Sequence, residues 1–147
     1  METSIRDEYF TTQVLTAPPQ KLHLMVIEAA IRAAEQAQTT WDNEDRGLSC
    51  EALIRAQECV AQLLAGLNRD CGLELVHKLA GLYAFVLRRL RDANIHRDRQ
   101  ALDEALKILK MERQTWQMVC QQTAEPKAPI PASEVEALNP PHLSFQA

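Results

Sequence analysis

Apolar residues three and four positions apart recur along most of this chain, and this spacing constrains its fold more than any other feature. Residues 48–67 show it most clearly, and the residues sharing one face are Leu53, Ala56, Val60, Leu63, Leu64 and Leu67. Such a spacing is typical of an amphipathic helix. Only four glycines occur in the chain and aromatic residues make up 5% of it, which favours helices over sheets. The sequence therefore predicts an all-α fold.

Four helices follow from the same pattern. The first is predicted to begin at "APPQKL", where a proline fits the first turn, and to run to about Thr40, with "TWDNEDRG" as the loop. The second covers 48–67, the third runs from about Leu73 to near Asn94, and the fourth ends at about Gln122. The core positions of the last two are Val76, Leu79, Tyr83, Val86 and Leu90, then Leu102, Ala105, Leu106, Leu109, Trp116 and Val119.

The third and fourth helices are separated by a short corner. Asn94 tolerates the left-handed conformation that ends helices, and Asp98 is well placed to cap the next helix by accepting from its free N–H groups. Short connections between helices of similar length imply antiparallel neighbours. The predicted domain is an antiparallel up-down four-helix bundle.

The composition divides the chain into three parts: an extended segment over 1–17, the bundle over 18–122 and a tail over 123–147. The tail holds five of the seven prolines and is expected to be mostly extended or disordered. One short helix is compatible with it, because Ser133 and Glu136 match the spacing of a capping box.

Bulk properties limit the function classes. A net charge of -4 provides no overall attraction to nucleic acid or to an anionic membrane, and no apolar run approaches the roughly 18 residues that span a bilayer. The amino terminus lacks the apolar core of a signal peptide, and the four cysteines form no C-x-x-C pair. We expect a cytoplasmic protein with reduced thiols and with no metal or cofactor.

Two helices carry more apolar surface than one bundle seam requires. The first helix has one row at Leu22, Val26, Ala29 and Ala33 and a second at Leu24, Ile27, Ile31 and Ala34. The fourth has an extra row at Ile108, Met111, Thr115 and Met118. Such faces indicate either helices buried on two sides or an exposed groove for the apolar segment of a partner, and methionine suits a groove because its thioether adapts to varied surfaces.

Candidate catalytic residues are sparse. Arg91 and His96 have an R-x4-H spacing that resembles the motif of HEPN-type ribonucleases, in which the histidine would be the general base and the arginine would stabilise phosphate charge. Glu74 and His77 form an E-x-x-H pair, but a di-iron bundle needs two such pairs and two further glutamates. No glycine-rich phosphate loop or nucleophile elbow is present. The sequence argues against an enzyme.

Three blocks resemble the flagellar export chaperone family FliS. The first is Tyr9 together with "TTQVLTAPPQKLHLM" over residues 11–25, and the second is "LIRAQECVAQLLAGLN". The third, "GLELVHKLAGLYAFVLRRLRDANIHRDRQALDEALKILKMERQTW", matches the family's G-x-E, L-Y, R-R-L, A-N, D and terminal Trp pattern. The chain departs from the family at Tyr83-Ala84-Phe85, where Tyr-Asp-Tyr is usual.

The resemblance implies a cytoplasmic chaperone that binds the disordered C-terminal segment of flagellin, prevents premature polymerisation and passes the subunit to the flagellar export gate. The segment around the tyrosine would act as a lid over the client groove or as a client contact. Homodimerisation through the apolar rows is a further possibility, and neither nucleic acid binding nor membrane insertion is expected. The alternatives are a HEPN-like ribonuclease and a generic helical adaptor. The candidate partner contacts are Ile5, Tyr9, Val14, Leu24, Ile27, Ile31, Tyr83, Ile108, Met111 and Met118.

Overall fold

A computed structural model describes residues 19–68 and 72–124, which form four α-helices. They are α1 (Pro19–Thr39), α2 (Arg46–Ala65), α3 (Glu74–His96) and α4 (Arg99–Ala124). The predicted all-α fold and its four helices are confirmed. The predicted lid residues Ile5, Tyr9 and Val14 and the proline-rich tail lie outside the described residues. None of the described helices is long and apolar enough to cross a membrane.

Side-chain contacts show that neighbouring helices run antiparallel. Gln38 near the end of α1 donates to Asp103 near the start of α4, while His23 near the start of α1 lies beside Trp116 in the second half of α4. Helices α3 and α4 are antiparallel too. Arg89 bonds to Glu104, whereas Tyr83, earlier in α3, bonds to Glu112, later in α4. Helix α1 packs against α2 and α4, and α3 packs against the same two helices, so the four form a closed bundle.

One apolar core fills the space between the helices, and each helix contributes one buried stripe to it. The largest fully buried side chains are Tyr83, Ile27, Ile31, Leu53, Leu63, Leu90, Leu102, Leu109, Val60 and Val86. Their spacing in the sequence is the one that predicted the helices. Of the predicted core of α4, Trp116 and Val119 are only half-buried.

The corner between α3 and α4 differs from the sequence prediction. Helix α3 continues through Asn94 to His96, and the left-handed residue is Arg97, with φ of 51°. Asn94 therefore does not end the helix. The Asp98 Oδ1 accepts from the backbone N–H of Ala101 at 3.2 Å, which is the contact of a helix-capping residue.

Contacts from the Arg97 guanidinium explain why a residue with a Cβ is held in the left-handed region, at a cost of roughly 1–2 kcal/mol. Its Nη1 donates to Ser49 Oγ at 2.8 Å and its Nη2 to the Trp41 carbonyl oxygen at 3.0 Å. The guanidinium also lies 4.0 Å from the centroid of the Trp41 ring, within range of a cation–π interaction. Arg97 thus ties the α1–α2 loop to the α3–α4 corner and closes this end of the bundle.

Candidate functional site

An open apolar surface runs along the seam between α3 and α4. Four large apolar side chains on it are exposed, namely Leu75 (59%), Phe85 (38%), Met111 (60%) and Met118 (54%). Leu82 and Ile108 are half-buried between them. We call these six residues the α3–α4 surface. Exposed apolar side chains that occur singly are ordinary, whereas a contiguous group of them is typical of an interaction site.

Helix geometry brings the six residues together. Arg89 Nε donates to Glu104 Oε2 at 2.9 Å, so these two residues mark the faces on which α3 and α4 meet. Phe85, Leu82 and Leu75 precede Arg89 by four, seven and fourteen positions, and Ile108, Met111 and Met118 follow Glu104 by the same numbers. Residues at these separations share one helix face. Because the helices are antiparallel, both rows extend from the ion pair in the same direction along the seam.

Three arginines near the end of α3, Arg88, Arg89 and Arg91, have different surroundings. Arg89 is 23% exposed in its side chain and contacts Glu104 at 2.9 Å, Asp92 at 3.3 Å and Asp98 at 3.9 Å. Arg89 therefore holds the α3–α4 corner. Arg88 and Arg91, in contrast, are exposed.

A polar cluster lies next to the α3–α4 surface. Two of its members, Tyr83 and Glu112, directly follow Leu82 and Met111 in the sequence. The Tyr83 hydroxyl and the Trp116 Nε1 both donate to Glu112 Oε2 at 3.2 Å, and His23 Nε2 lies 2.7 Å from the Tyr83 oxygen. The His23 and Trp116 ring centroids are 4.2 Å apart. The cluster joins α1, α3 and α4 at one place.

Burial determines the protonation states in this cluster. Desolvation lowers the pKa of His23 from 6.5 to about 4, so the imidazole is neutral at pH 7. Desolvation, and then the nearby Glu112 charge, raises the pKa of the Tyr83 hydroxyl above its ordinary value. A neutral His23 can donate from Nε2 to the Tyr83 oxygen while Tyr83 donates to Glu112. Among the described residues no buried side-chain nitrogen or oxygen lacks a partner, so the polar atoms of this cluster satisfy one another.

Sequence reasoning missed this cluster as a unit, although it assigned Tyr83 as a partner contact and Trp116 as a core residue. His23 gave a usable signal, because it is a histidine within the apolar pattern of α1, four positions before Ile27. Glu112 gave no such signal, because a glutamate near lysines and an arginine is typical of a solvated helix face. Its role depends on which helix lies opposite.

Four candidate partner contacts are buried rather than exposed. Leu24 is 4% exposed, Ile27 and Tyr83 are 0% and Ile31 is 1%. The expectation that they line an exposed groove is wrong, because α1 packs against both α2 and α4 and its second row enters the core. The alternative interpretation, a helix buried on two sides, is the correct one for α1. The extra row of α4 instead remains on the surface, where Met111 and Met118 are exposed.

The candidate chemical sites do not assemble in the part of the chain that the structure describes. Arg91 and His96 are both exposed, and no hydrogen bond or ion pair holds either of them there. Glu74 pairs with Lys78 at 3.6 Å, and no group of three or more histidine, cysteine, aspartate or glutamate residues within 19–68 and 72–124 could hold a metal ion. Within residues 19–68 and 72–124 the geometry offers a surface for binding, and the candidate reactive side chains are not brought together.

Comparison with known proteins gives a consistent result. A family model described as "Flagellar protein FliS" matches residues 1–123. The chain is 31% identical over 107 residues to the flagellar secretion chaperone FliS of Salmonella typhimurium, covering 72% of this chain and 79% of that protein. It is also 31% identical over 113 residues to the Bacillus subtilis protein of the same name, covering 77% and 84%. A Campylobacter jejuni protein of that name is 27% identical over 111 residues.

Proposed function

The chain belongs to the FliS family of flagellar secretion chaperones, and we propose that it binds the disordered C-terminal segment of flagellin in the cytoplasm and supports its export. Binding would keep flagellin from polymerising before secretion and would present it to components of the export gate. The observation that supports this proposal most directly is the α3–α4 surface. An export chaperone needs an exposed apolar surface for an unfolded client, and this chain has one.

The chemistry of the surface fits an amphipathic client. Met111 and Met118 have flexible, polarisable side chains that can adapt to the apolar face of an incoming helix. Phe85 and Leu75 supply larger apolar contacts on the opposite helix. A disordered segment that folds as it binds buries roughly 1,000–3,000 Å² and loses several kcal/mol to ordering, which keeps the complex reversible. Release at the export gate requires such reversibility.

The proposed client contacts on this surface are Ile108, Met111 and Met118, together with Leu75, Leu82 and Phe85. Tyr9, Ile5 and Val14 remain predicted contacts of a lid or of the client. Leu24, Ile27, Ile31 and Tyr83 would contact a client only if α1 moved out of the bundle, because they are buried in it.

Calorimetric titration with flagellin from the same cell tests the proposal. We expect one-to-one binding to full-length flagellin and no binding to flagellin that lacks its C-terminal segment. Equal binding to both forms would place the client contact elsewhere in flagellin. Absence of binding to either form would refute the proposal, and the alternative ribonuclease function would then be assayed with Arg91→Ala and His96→Ala variants.

A further inference from the structure

Two polar contacts join α3 to α4 along the α3–α4 surface. At one end of it Arg89 Nε donates to Glu104 Oε2 at 2.9 Å, and further along the Tyr83 hydroxyl donates to Glu112 Oε2 at 3.2 Å. The Tyr83 side chain is fully buried, so it does not touch a client while the bundle is closed. Its hydrogen bond nevertheless holds the two helices together next to Met111, which a client would contact.

We propose that Tyr83 and Glu112 are positioning residues for the client, because their hydrogen bond fixes the rotation of α4 that points Met111 outward. Glu112 directly follows Met111, and successive residues lie about 100° apart around a helix. Any rotation of α4 that moves Glu112 away from Tyr83 therefore moves Met111 as well. A surface held in its binding arrangement loses less free energy to ordering when the client binds. The inference rests on the proposed function, since it concerns how that surface receives its client.

Further contacts hold this pair in one geometry. Trp116 Nε1 donates to the same Glu112 Oε2 at 3.2 Å, and His23 Nε2 lies 2.7 Å from the Tyr83 oxygen. The His23 and Trp116 rings lie against each other, with 4.2 Å between their centroids. Desolvation, and then the Glu112 charge, raises the pKa of Tyr83, so its hydroxyl keeps the proton that it donates. A carboxylate oxygen that accepts from two donors on different turns or helices has little freedom to turn.

Tyr83→Phe tests the inference, because it removes only the hydroxyl and leaves the buried ring in place. Ser49→Ala is the matched control, since Ser49 is also fully buried and also loses one hydroxyl, but its partner Arg97 lies at the α3–α4 corner, away from Glu112. Calorimetric titration with flagellin's C-terminal segment measures both variants. If α3 and α4 without the tie keep their binding arrangement about one-fifth of the time, the Kd of Tyr83→Phe should rise about fivefold. The Kd of Ser49→Ala should not change.

Changes at Glu112 separate positioning from direct contact with the client. Glu112→Ala removes the acceptor, and adding Tyr83→Phe to it should raise the Kd no further, because both residues act through one hydrogen bond. Glu112→Gln keeps an oxygen that can accept from Tyr83 and should bind more tightly than Glu112→Ala. Equal losses in these two Glu112 variants would mean that the carboxylate charge itself contacts the client, which would overturn the inference. Additive losses from Tyr83→Phe and Glu112→Ala would overturn it too.

Methionine methyl NMR on the full chain gives a readout that needs no client. The chain has four methionines, so a ¹³C-methyl-labelled sample gives few signals, and that of Met111 reports on the α3–α4 surface. We expect Tyr83→Phe to shift this signal and Ser49→Ala to leave it in place. An unchanged Met111 signal or an unchanged Kd in Tyr83→Phe would contradict the inference, as would an equal loss of affinity in Ser49→Ala. A shifted Met111 signal with no flagellin binding by any of these proteins, the original chain included, would support the positioning of the surface and refute the proposed function.

Discussion

Helices α1 and α4 carry similar apolar patterns, with two rows each, yet the bundle uses them differently. Both rows of α1 contribute to burial, and Ile27 and Ile31 reach 0% and 1% exposure. In α4 one row enters the core and the other remains exposed at Met111 and Met118. The difference shows that periodicity determines which residues share a face, whereas the neighbours of that face decide whether it forms core or an interaction surface.

Replacing Ile27 with alanine should have the largest effect on stability, because it removes fully buried atoms and leaves a cavity between α1 and its neighbours. We expect the free energy of unfolding to fall by about 2–5 kcal/mol. Urea denaturation followed by circular dichroism measures it. The matched change on the open row, Met118→Ala, should cost about 0.5 kcal/mol or less. Equal losses at the two positions would mean that the exposed row of α4 is buried in solution, and the contrast between the helices would disappear.

This contrast also shows what could be predicted from the sequence. The four helices and the core residues Leu53, Leu90 and Leu102 follow from the apolar spacing, because one stripe per helix must face a common core, and the antiparallel order follows from the short connections. When one helix carries two apolar rows, the sequence does not determine whether the second row is buried in the core or exposed. The spacing does not show whether another helix packs against that row. The spacing therefore predicts the same for the rows of α1 and α4, and only the position of each helix in the bundle separates them.

Long-range polar contacts were the other part that spacing could not supply. Intrinsic preference predicts the left-handed conformation at Asn94, but Arg97 adopts it because Ser49 and Trp41 hold its guanidinium. In the same way, one partner of Glu112 is Tyr83, twenty-nine residues away. Contacts of this kind depend on the register between helices, which the pattern within one helix does not contain.

The polar cluster where α1 meets α4 predicts a second effect, on the pH dependence of stability. The pKa of His23 is lowered from 6.5 to about 4 by burial, so between these pH values the unfolded chain binds a proton that the folded protein does not. The stabilisation is complete above pH 6.5 and is lost as the pH falls toward 4, by an amount on the order of 3 kcal/mol. A His23→Gln variant, which does not titrate, should lack this component.

Urea denaturation of both proteins between pH 7 and pH 4 isolates the histidine, because the other titrating groups are common to both. We expect the stability difference between the original protein and the His23→Gln variant to shrink or reverse as the pH falls. A difference that stays constant over this range would show that His23 is solvated in the folded protein, and that α1 and α4 are less tightly joined there than their contacts indicate.

The smallest effect on stability should come from Met111→Gln, and it should accompany a clear loss of binding. Met111 is 60% exposed, so replacing it with a polar side chain of similar length should change the free energy of unfolding by about 0.5 kcal/mol or less. If flagellin's C-terminal segment covers this residue, its Kd should rise about tenfold, equivalent to about 1.4 kcal/mol of binding free energy. Leu48→Gln is the matched control, because Leu48 is 41% exposed on α2, outside the α3–α4 surface.

Equal losses of binding in both variants would mean that exposure alone, rather than position on the α3–α4 seam, governs the interaction. A loss confined to Met111→Gln would show that the row α4 leaves open is reserved for a partner, whereas the corresponding row of α1 belongs to the bundle itself.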